Sequence, residues 1–214
     1  MTQPAGSKRE GNTLSVRSIV TSRPKTRDKQ ELILVSALDL FRHYGYRRTA
    51  MEDIARAAGV AKGTLYLYFR SKEELFAAIA HSIAARIQQL IDEAMARDLP
   101  LQEKLIAVLD AKLGFIYRWV LSSPHAAELT ASHGNLSRHA FDSVDQSYRA
   151  AISQILLDGM KSGELDLKSA GLDPDQATEL LTAAAYGAEK APDGERFQQT
   201  LSGIVGLVLR GLRA

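Results

Sequence analysis

The sequence predicts an all-α protein with a helix-turn-helix near its N-terminus, and three observations carry that expectation. The stretch 49–72, TAMEDIARAAGVAKGTLYLYFRSK, is punctuated as two short helices joined by a tight turn and followed at once by a third. Downstream, the apolar period is helical wherever it can be read, as in Phe76, Ile79, Ile83, Ile87 and Leu90. Capping signals also recur along the chain, at Asp28, Thr49, Ser71, Asp173 and Asp193, each opening a helix.

Taken in order, residues 1–25 hold Lys8, Arg9, Arg17, Arg23 and Lys25 against one acidic residue, Glu10, among Gly, Ser, Thr and Pro. That composition reads as a disordered basic arm, either a solvated tail or an arm able to lie in a minor groove. Asp28 with Glu31 caps a first helix, whose stripe is Leu34, Ala37, Leu38 and Phe41 and whose end is Gly45. Thr49 with Glu52 forms the next capping box, so the second helix is expected from Thr49, with Met51, Ile54 and Ala55 inward. Gly59 stops it, being free to adopt the left-handed backbone, and Val60 plugs the turn. A third helix runs from Lys62 to about Phe69, and Ser71 with Glu74 caps a long fourth. Pro100 ends that lever; residues 101–121 read as one helix, and Ser123-Pro124 as the cap and first position of a short one fading near Gly134. A longer helix is expected over 137–160 before Gly163. Asp173-Pro174-Asp175-Gln176 then opens the penultimate helix, and Asp193 with Arg196 and Phe197 the last.

Helix-turn-helix pairs mostly read DNA. In the third helix Lys62, Thr64, Tyr66 and Tyr68 are donors of modest bulk, and Gly63 leaves backbone uncovered, a composition suited to the major groove and its flanking phosphates. Tyrosines two residues apart point to different sides of a helix, so one of Tyr66 and Tyr68 can be padding for the core while the other faces outward.

Over residues 33–79 these pieces resemble the N-terminal domain of the tetracycline-repressor (TetR) family. ALDLFRHYGYRRTAMEDIARAAGV followed by AKGTLYLYFRSKEEL covers nearly the whole family signature. The resemblance implies an all-α homodimer of about nine helices per subunit, three for DNA and the rest for dimerisation and an effector pocket. The corresponding division is a basic arm over 1–25, a DNA-binding domain over 26–72, and a helical effector-binding and dimerisation domain over 73–214. It further implies phosphate contacts from Thr49, Tyr66 and Lys72, with Lys62, Gly63, Thr64 and Tyr68 at or near the groove. Arg47 and Arg48, next to Thr49, complete the expected DNA-binding set, and the DNA partner is a near-palindromic operator. Two residues depart from the pattern. Ala61 stands where a capping Ser is frequent, a loss of about 1 kcal/mol, and Leu67 stands where an aromatic or polar residue is frequent.

The last helix carries the apolar stripe Phe197, Leu201, Ile204, Val205, Val208, Leu209 and Leu212, thinned by Gly203 and Gly206. Opposite it, Ala177, Leu180, Ala184 and Ala188 would let a neighbouring helix approach closely. Two such helices from each of two subunits make a four-helix interface; the alternative is the core of a monomer. Between 101 and 160, Phe115, Tyr117, Trp119, Phe141 and Tyr148 are candidate walls of an effector pocket, with Glu128, His125, His133 and His139 as candidate polar groups; plain core and solvated histidines are the competing readings.

Composition narrows the function. A chain of 214 residues, 45% hydrophobic and 24% charged, is ordinary globular material, and its net charge of +2 requires that basic residues be concentrated if it binds DNA. Cysteine is absent and the five histidines lack metal-ligand spacing, so neither disulfide nor metal site is expected, and no cofactor. With no apolar run of membrane length and no signal peptide, the expected compartment is the cytoplasm. A helical enzyme is the poorest reading, because no nucleophile-base pair, phosphate loop or paired-carboxylate motif stands out. An architectural DNA-binding protein or an effector-free activator shares the same head. The aromatic-rich body favours a ligand-responsive repressor released by a small, largely apolar effector.

Overall fold

The computed structural model describes residues 29–131 and 134–213, with the side chains of 131–139 outside the description. The 1–25 arm, Asp28, His133 and the side chain of His139 therefore lie outside the described residues. Among the described residues there are nine α-helices and no strand.

Helix α1 (Lys29–Tyr44) buries Ile33, Leu34, Ala37, Leu38 and Phe41. Ile33, Leu34, Leu38 and Phe41 each contribute about 2 kcal/mol by leaving water. Gly45, at φ +86°, turns the chain into the α1–α2 loop. Helix α2 (Met51–Ala57) and α3 (Lys62–Tyr68) are joined through Gly59, which has the expected left-handed backbone at φ +66°. Their inner residues Ile54, Ala55 and Leu65 are buried; α2 packs on α1 and α3, and α1 packs in turn on α4 (Lys72–Ala96).

The remainder forms a helical body. Helix α4 packs most extensively along α7 (Gly134–Lys161), with α5 (Leu101–Leu109) beside both. Helix α6 (Ala126–Ala131) turns back to touch α1, while α8 (Pro174–Ala185) and α9 (Gly194–Gly211) pair with each other and close the body over α7 and α5. A 3₁₀ turn, Tyr186–Lys190, follows α8. Leu165 and Arg213 form an isolated antiparallel bridge that ties the loop after α7 to the end of α9.

Most caps behave as the sequence predicts. Ser71 accepts from the Glu74 amide at 3.1 Å, Asp173 and Gln176 form a reciprocal box, and Asp193 accepts from the Arg196 amide at 2.8 Å. Thr49 is an exception. Helix α2 begins two residues later than expected, because the Thr49 hydroxyl donates to the Gly45 carbonyl at 2.8 Å and is folded inward. Asp53 reaches back to the Ala50 amide in its place, at 3.4 Å.

The helix predicted over 101–121 is continuous in direction but contains two π-helical turns, Asp110–Gly114 and Tyr117–Leu121. A polar network in its wall accompanies the distortion. The Asp110 carboxylate takes the Arg118 guanidinium in two bonds of 3.0 and 3.2 Å and Gln198 at 2.6 Å. It lies where a Cβ on residue 114 would be, so only Gly fits there. Helix α6 starts at Ala126 and not at the expected Pro124, and α7 starts at Gly134, ahead of the expected Ser137.

The outer hairpin corrects the expected interface. Phe197, Leu201 and Val205 are buried within this single chain, Phe197 being stacked on Tyr117 at 4.7 Å between ring centroids. Their stripe is core. The outward apolar face of α8 and α9 is instead Leu180, at 57% exposure, with exposed Ala184, the half-buried Ile204 and Val208, and Leu207 at 65%.

Candidate nucleic-acid interface

Helix α3 spans seven residues between extended caps at Ala61 and Phe69. Its N-cap, Ala61, makes no side-chain bond, and Leu65 is its one buried residue, anchoring the helix from below. Lys62, Gly63, Tyr66, Leu67 and Tyr68 consequently face outward, and Thr64 is half-buried. Both tyrosines are partly exposed, at 39% and 38%, so neither has been given over to the core. No atom would obstruct a Cβ at Gly63, which leaves the first turn of α3 open to close approach.

Lys62 does not stand free on this face. Its ammonium lies 2.6 Å from Glu52 on α2 and 5.9 Å from the Tyr66 ring centroid. The hydrogen bond and charge of Glu52 raise the Lys62 pKa, and the same bond lowers that of Glu52. The pair holds the Lys62 side chain over the start of α3, aligned with Tyr66. Leu67, at 86%, is the most exposed large hydrophobic side chain among the described residues. In a major groove, the apolar feature a base edge presents is the thymine methyl. The sequence flagged Leu67 only as a departure, because exposure depends on which face Leu65 anchors.

Two expected phosphate contacts are otherwise engaged. Thr49 is 3% exposed, its hydroxyl bonded to Gly45. Lys72 donates to the carbonyls of Tyr46, Thr49 and Arg47 at 2.8, 3.0 and 3.4 Å, and its ammonium sits 4.4 Å from the Tyr46 ring centroid. Lys72 thus closes the α1–α2 loop onto the first turn of α4. Tyr46 completes the closure by donating to Glu73 at 3.1 Å and packing against Phe41 and Phe76. Burial, with the Glu73 carboxylate second, pushes the Tyr46 phenol well above its ordinary pKa.

Arg47 and Arg48 are exposed on the loop beside α2. The Arg47 backbone, however, connects to the body. Glu128 on α6 accepts from the Arg47 amide at 2.6 Å, and its carboxylate lies 3.9 Å from the Arg47 guanidinium. Glu128, expected among the polar groups of an effector pocket, therefore faces the DNA-reading head. Three further contacts adjoin it. Ser123 donates to the Arg42 carbonyl at 2.7 Å, the Nε2-protonated tautomer of His125 donates to the His43 carbonyl at 3.2 Å, and the Arg42 guanidinium stacks over Trp119 at 4.9 Å. Burial lowers the Arg42 pKa, partly offset by Asp39. This junction requires Gly45. A Cβ there would come within 2.6 Å of Glu128 Oε2 and 3.1 Å of His125 Nδ1.

Of the aromatic candidates in the body, Phe115 and Trp119 are buried 6.4 Å apart, Phe141 is half-buried, and Tyr148 is 1% exposed. The indole nitrogen of Trp119 and the hydroxyl of Tyr148 have no hydrogen-bond partner among the described residues. No group of His, Asp and Glu able to hold a metal ion occurs among the described residues, and no described helix is long and apolar enough to cross a membrane.

Comparison with known proteins places this head among bacterial regulators. The family model described as "Bacterial regulatory proteins, tetR family" matches residues 33–79. The chain is 32% identical over 190 residues to an uncharacterised HTH-type transcriptional regulator, YhgD, of Bacillus subtilis, covering 87% of this chain and 98% of that one. It is 26% identical over 160 residues to the fatty acid metabolism regulator protein of the same organism, covering 72% of this chain and 78% of that one. The fold also matches that of the transcriptional regulator FadR from Bacillus subtilis, solved in complex with stearoyl-CoA, with a TM-score of 0.61 at 22% identity, covering 85% of this chain and 98% of the other.

Proposed function

The chain belongs to the TetR family of DNA-binding transcriptional regulators, and from that premise we propose that it is a repressor released from its operator by a small, largely apolar effector. The observation that carries this reading is the junction between head and body. Glu128, Ser123, His125 and Trp119, all from the segment between α5 and α6 or from their ends, grip Arg42, His43 and Arg47 at the end of α1 and in the loop after it. A shift of the body at α5 and α6 is therefore conveyed to the head through hydrogen bonds of 2.6–3.2 Å as well as along the 25-residue α4. Allostery requires a bistable element that both ligands bias, and this junction is a physical candidate for it.

DNA is read by α3, with Lys62, Gly63, Thr64, Tyr66 and Leu67 toward the major groove, and with Arg47, Arg48 and Tyr68 toward phosphates. Thr49 and Lys72 support the loop behind them. One head supplies one recognition helix, so a homodimer on a near-palindromic site accounts for high affinity, its half-sites about one helical turn or a multiple apart. The outward face of Leu180, Ala184, Ile204, Leu207 and Val208 is the proposed dimer contact, since an apolar patch of this kind on a terminal hairpin is characteristic of an interface. Similarity to a fatty acid metabolism regulator and to a structure holding stearoyl-CoA supports an apolar effector, as do the buried aromatics of the body.

The test is selection of bound fragments from genomic DNA, followed by gel shifts on the recovered site. A folded Lys62→Ala/Thr64→Ala/Tyr66→Phe variant is expected to lose the site-specific complex. Unchanged affinity would remove α3 from the reading.

A further inference from the structure

We propose that the effector site is anchored on a buried polar cluster centred on Lys112, and that it selects a neutral hydrogen-bond acceptor, a carbonyl of an ester, thioester or ketone, on an otherwise apolar molecule. The proposal rests on the effector reading above. Lys112 sits on the first π-helical turn after α5, where the widened backbone directs it between α7 and the 3₁₀ turn after α8. Its ammonium lies 2.7 Å from Asp145 and donates to the Tyr186 hydroxyl at 3.0 Å. It also lies 4.8 Å from the ring centroid of Tyr148 and 5.5 Å from that of Tyr186. An ammonium has three N–H groups. Tyr186 accepts one of them and Asp145 lies against the ammonium as an ion pair, so at least one is left.

Beside it the Tyr148 hydroxyl, on a side chain 1% exposed, has no hydrogen-bond partner among the described residues. Buried hydroxyls are ordinarily bonded, and an unmet one costs about 1–3 kcal/mol. Burial, reinforced by the charges around it, raises this phenol's pKa, so it keeps a proton to donate. The Tyr186 hydroxyl, which accepts from Lys112, retains its own proton. Three donors are thus gathered on side chains packed around the Lys112 ammonium, two of whose neighbours, Asp145 and Tyr186, are partly exposed, and an acceptor fits them.

Charge decides which acceptor. The Lys112 ammonium is already balanced by Asp145, and the half-buried Glu189 stands nearby with its pKa raised by burial. A carboxylate would bring a further anion against Asp145 and Glu189, and an amine would bring a cation against Lys112 and its aromatic neighbours. A neutral carbonyl leaves the balance intact while giving Tyr148 its partner.

Calorimetric titration of the full chain with methyl decanoate, decanoate and decylammonium tests the assignment, alongside gel shifts on operator DNA. The ester is expected to bind at least about tenfold more tightly than either ion. Tyr148→Phe should weaken ester binding about fivefold to tenfold, as loss of one buried hydrogen bond implies, while leaving thermal stability equal or higher, since the phenol has no partner to lose. Lys112→Met offers a second reading of the same anchor, with weaker ester binding expected. Equal binding of ester and carboxylate, an unaltered ester affinity in Tyr148→Phe, or no saturable ester binding would overturn the proposal. Those outcomes leave the regulator reading standing if another compound releases DNA. Ester that binds through Tyr148 without weakening the DNA complex would instead uphold the anchor and sink the repressor reading.

Discussion

Replacing Lys72 by Met separates two roles that the sequence alone could not. As a phosphate contact, Lys72 would add one counterion-releasing charge, and its loss would weaken all DNA binding and reduce the salt slope by about 1. As a brace, it holds the α1–α2 loop through bonds to the Tyr46 and Thr49 carbonyls, a longer bond to Arg47, and a cation–π contact with Tyr46. The two part-buried bonds, discounted for partial solvent access, are worth about 1 kcal/mol each, and the ring contact about 0.5–1 kcal/mol. The Arg47 bond is exposed, and water replaces it. Lys72→Met should therefore destabilise the protein by about 2–3 kcal/mol, a drop of about 1 M in the urea midpoint for a typical slope. Gel shifts across a salt series, at temperatures where the variant is folded, should retain the wild-type slope. A variant with unchanged urea midpoint whose salt slope falls by about 1 would refute the brace and return Lys72 to the phosphates.

The dimer is tested by a pair of charges one helical face apart. Leu207→Glu, exposed in the single chain, should yield a folded monomer by equilibrium sedimentation, whereas Val205→Glu, fully buried, should lower the melting temperature of the protomer itself by burying an unpaired charge at several kcal/mol; a dimeric Leu207→Glu would move the interface elsewhere. Leu67→Ala should lower preference for a thymine-containing half-site by about 1 kcal/mol with little change in affinity for random DNA, read by competition gel shifts, and an equal loss on both would mean that Leu67 acts through packing. At the junction, Glu128→Ala should diminish the change in operator affinity that effector produces while effector affinity, measured by calorimetry, changes little. Undiminished release would show that the signal travels along α4 without the α6 contact. Gly45→Ala should perturb the same junction from the other side, at a cost of about 1–2 kcal/mol in thermal stability, because a Cβ meets Glu128 and φ is +86°.

What could be read in advance from this chain divides by sequence separation. Caps at Ser71, Asp173 and Asp193 and the turns at Gly45, Gly59 and Gly163 are decided within three or four residues, and they stand where the sequence predicts them. Thr49 failed because a local rule met a competitor four residues behind it. The Gly45 carbonyl, left unpaired by a left-handed turn, captured the hydroxyl that would otherwise have capped α2. Roles that depend on distant partners were invisible. Lys72 meets carbonyls 23–26 residues earlier, Glu128 meets an amide 81 residues earlier, and Lys112 meets Tyr186 74 residues later. The stripe on α9 illustrates the same limit within one helix. Its period identifies a buried face, but seven apolar residues spread wider than one face leave open which of them meet the protomer's own core and which point outward. Tyr117 stacking on Phe197 settles that division, fixing the rotation of α9 so that Val205 points inward and Leu207 outward. In this chain, then, a polar residue is positioned by the partner that most needs it. Lys72 is held by carbonyls stranded in a tight loop and Glu128 by an amide beside a glycine, and the face left to DNA is what remains once those obligations of the backbone are met.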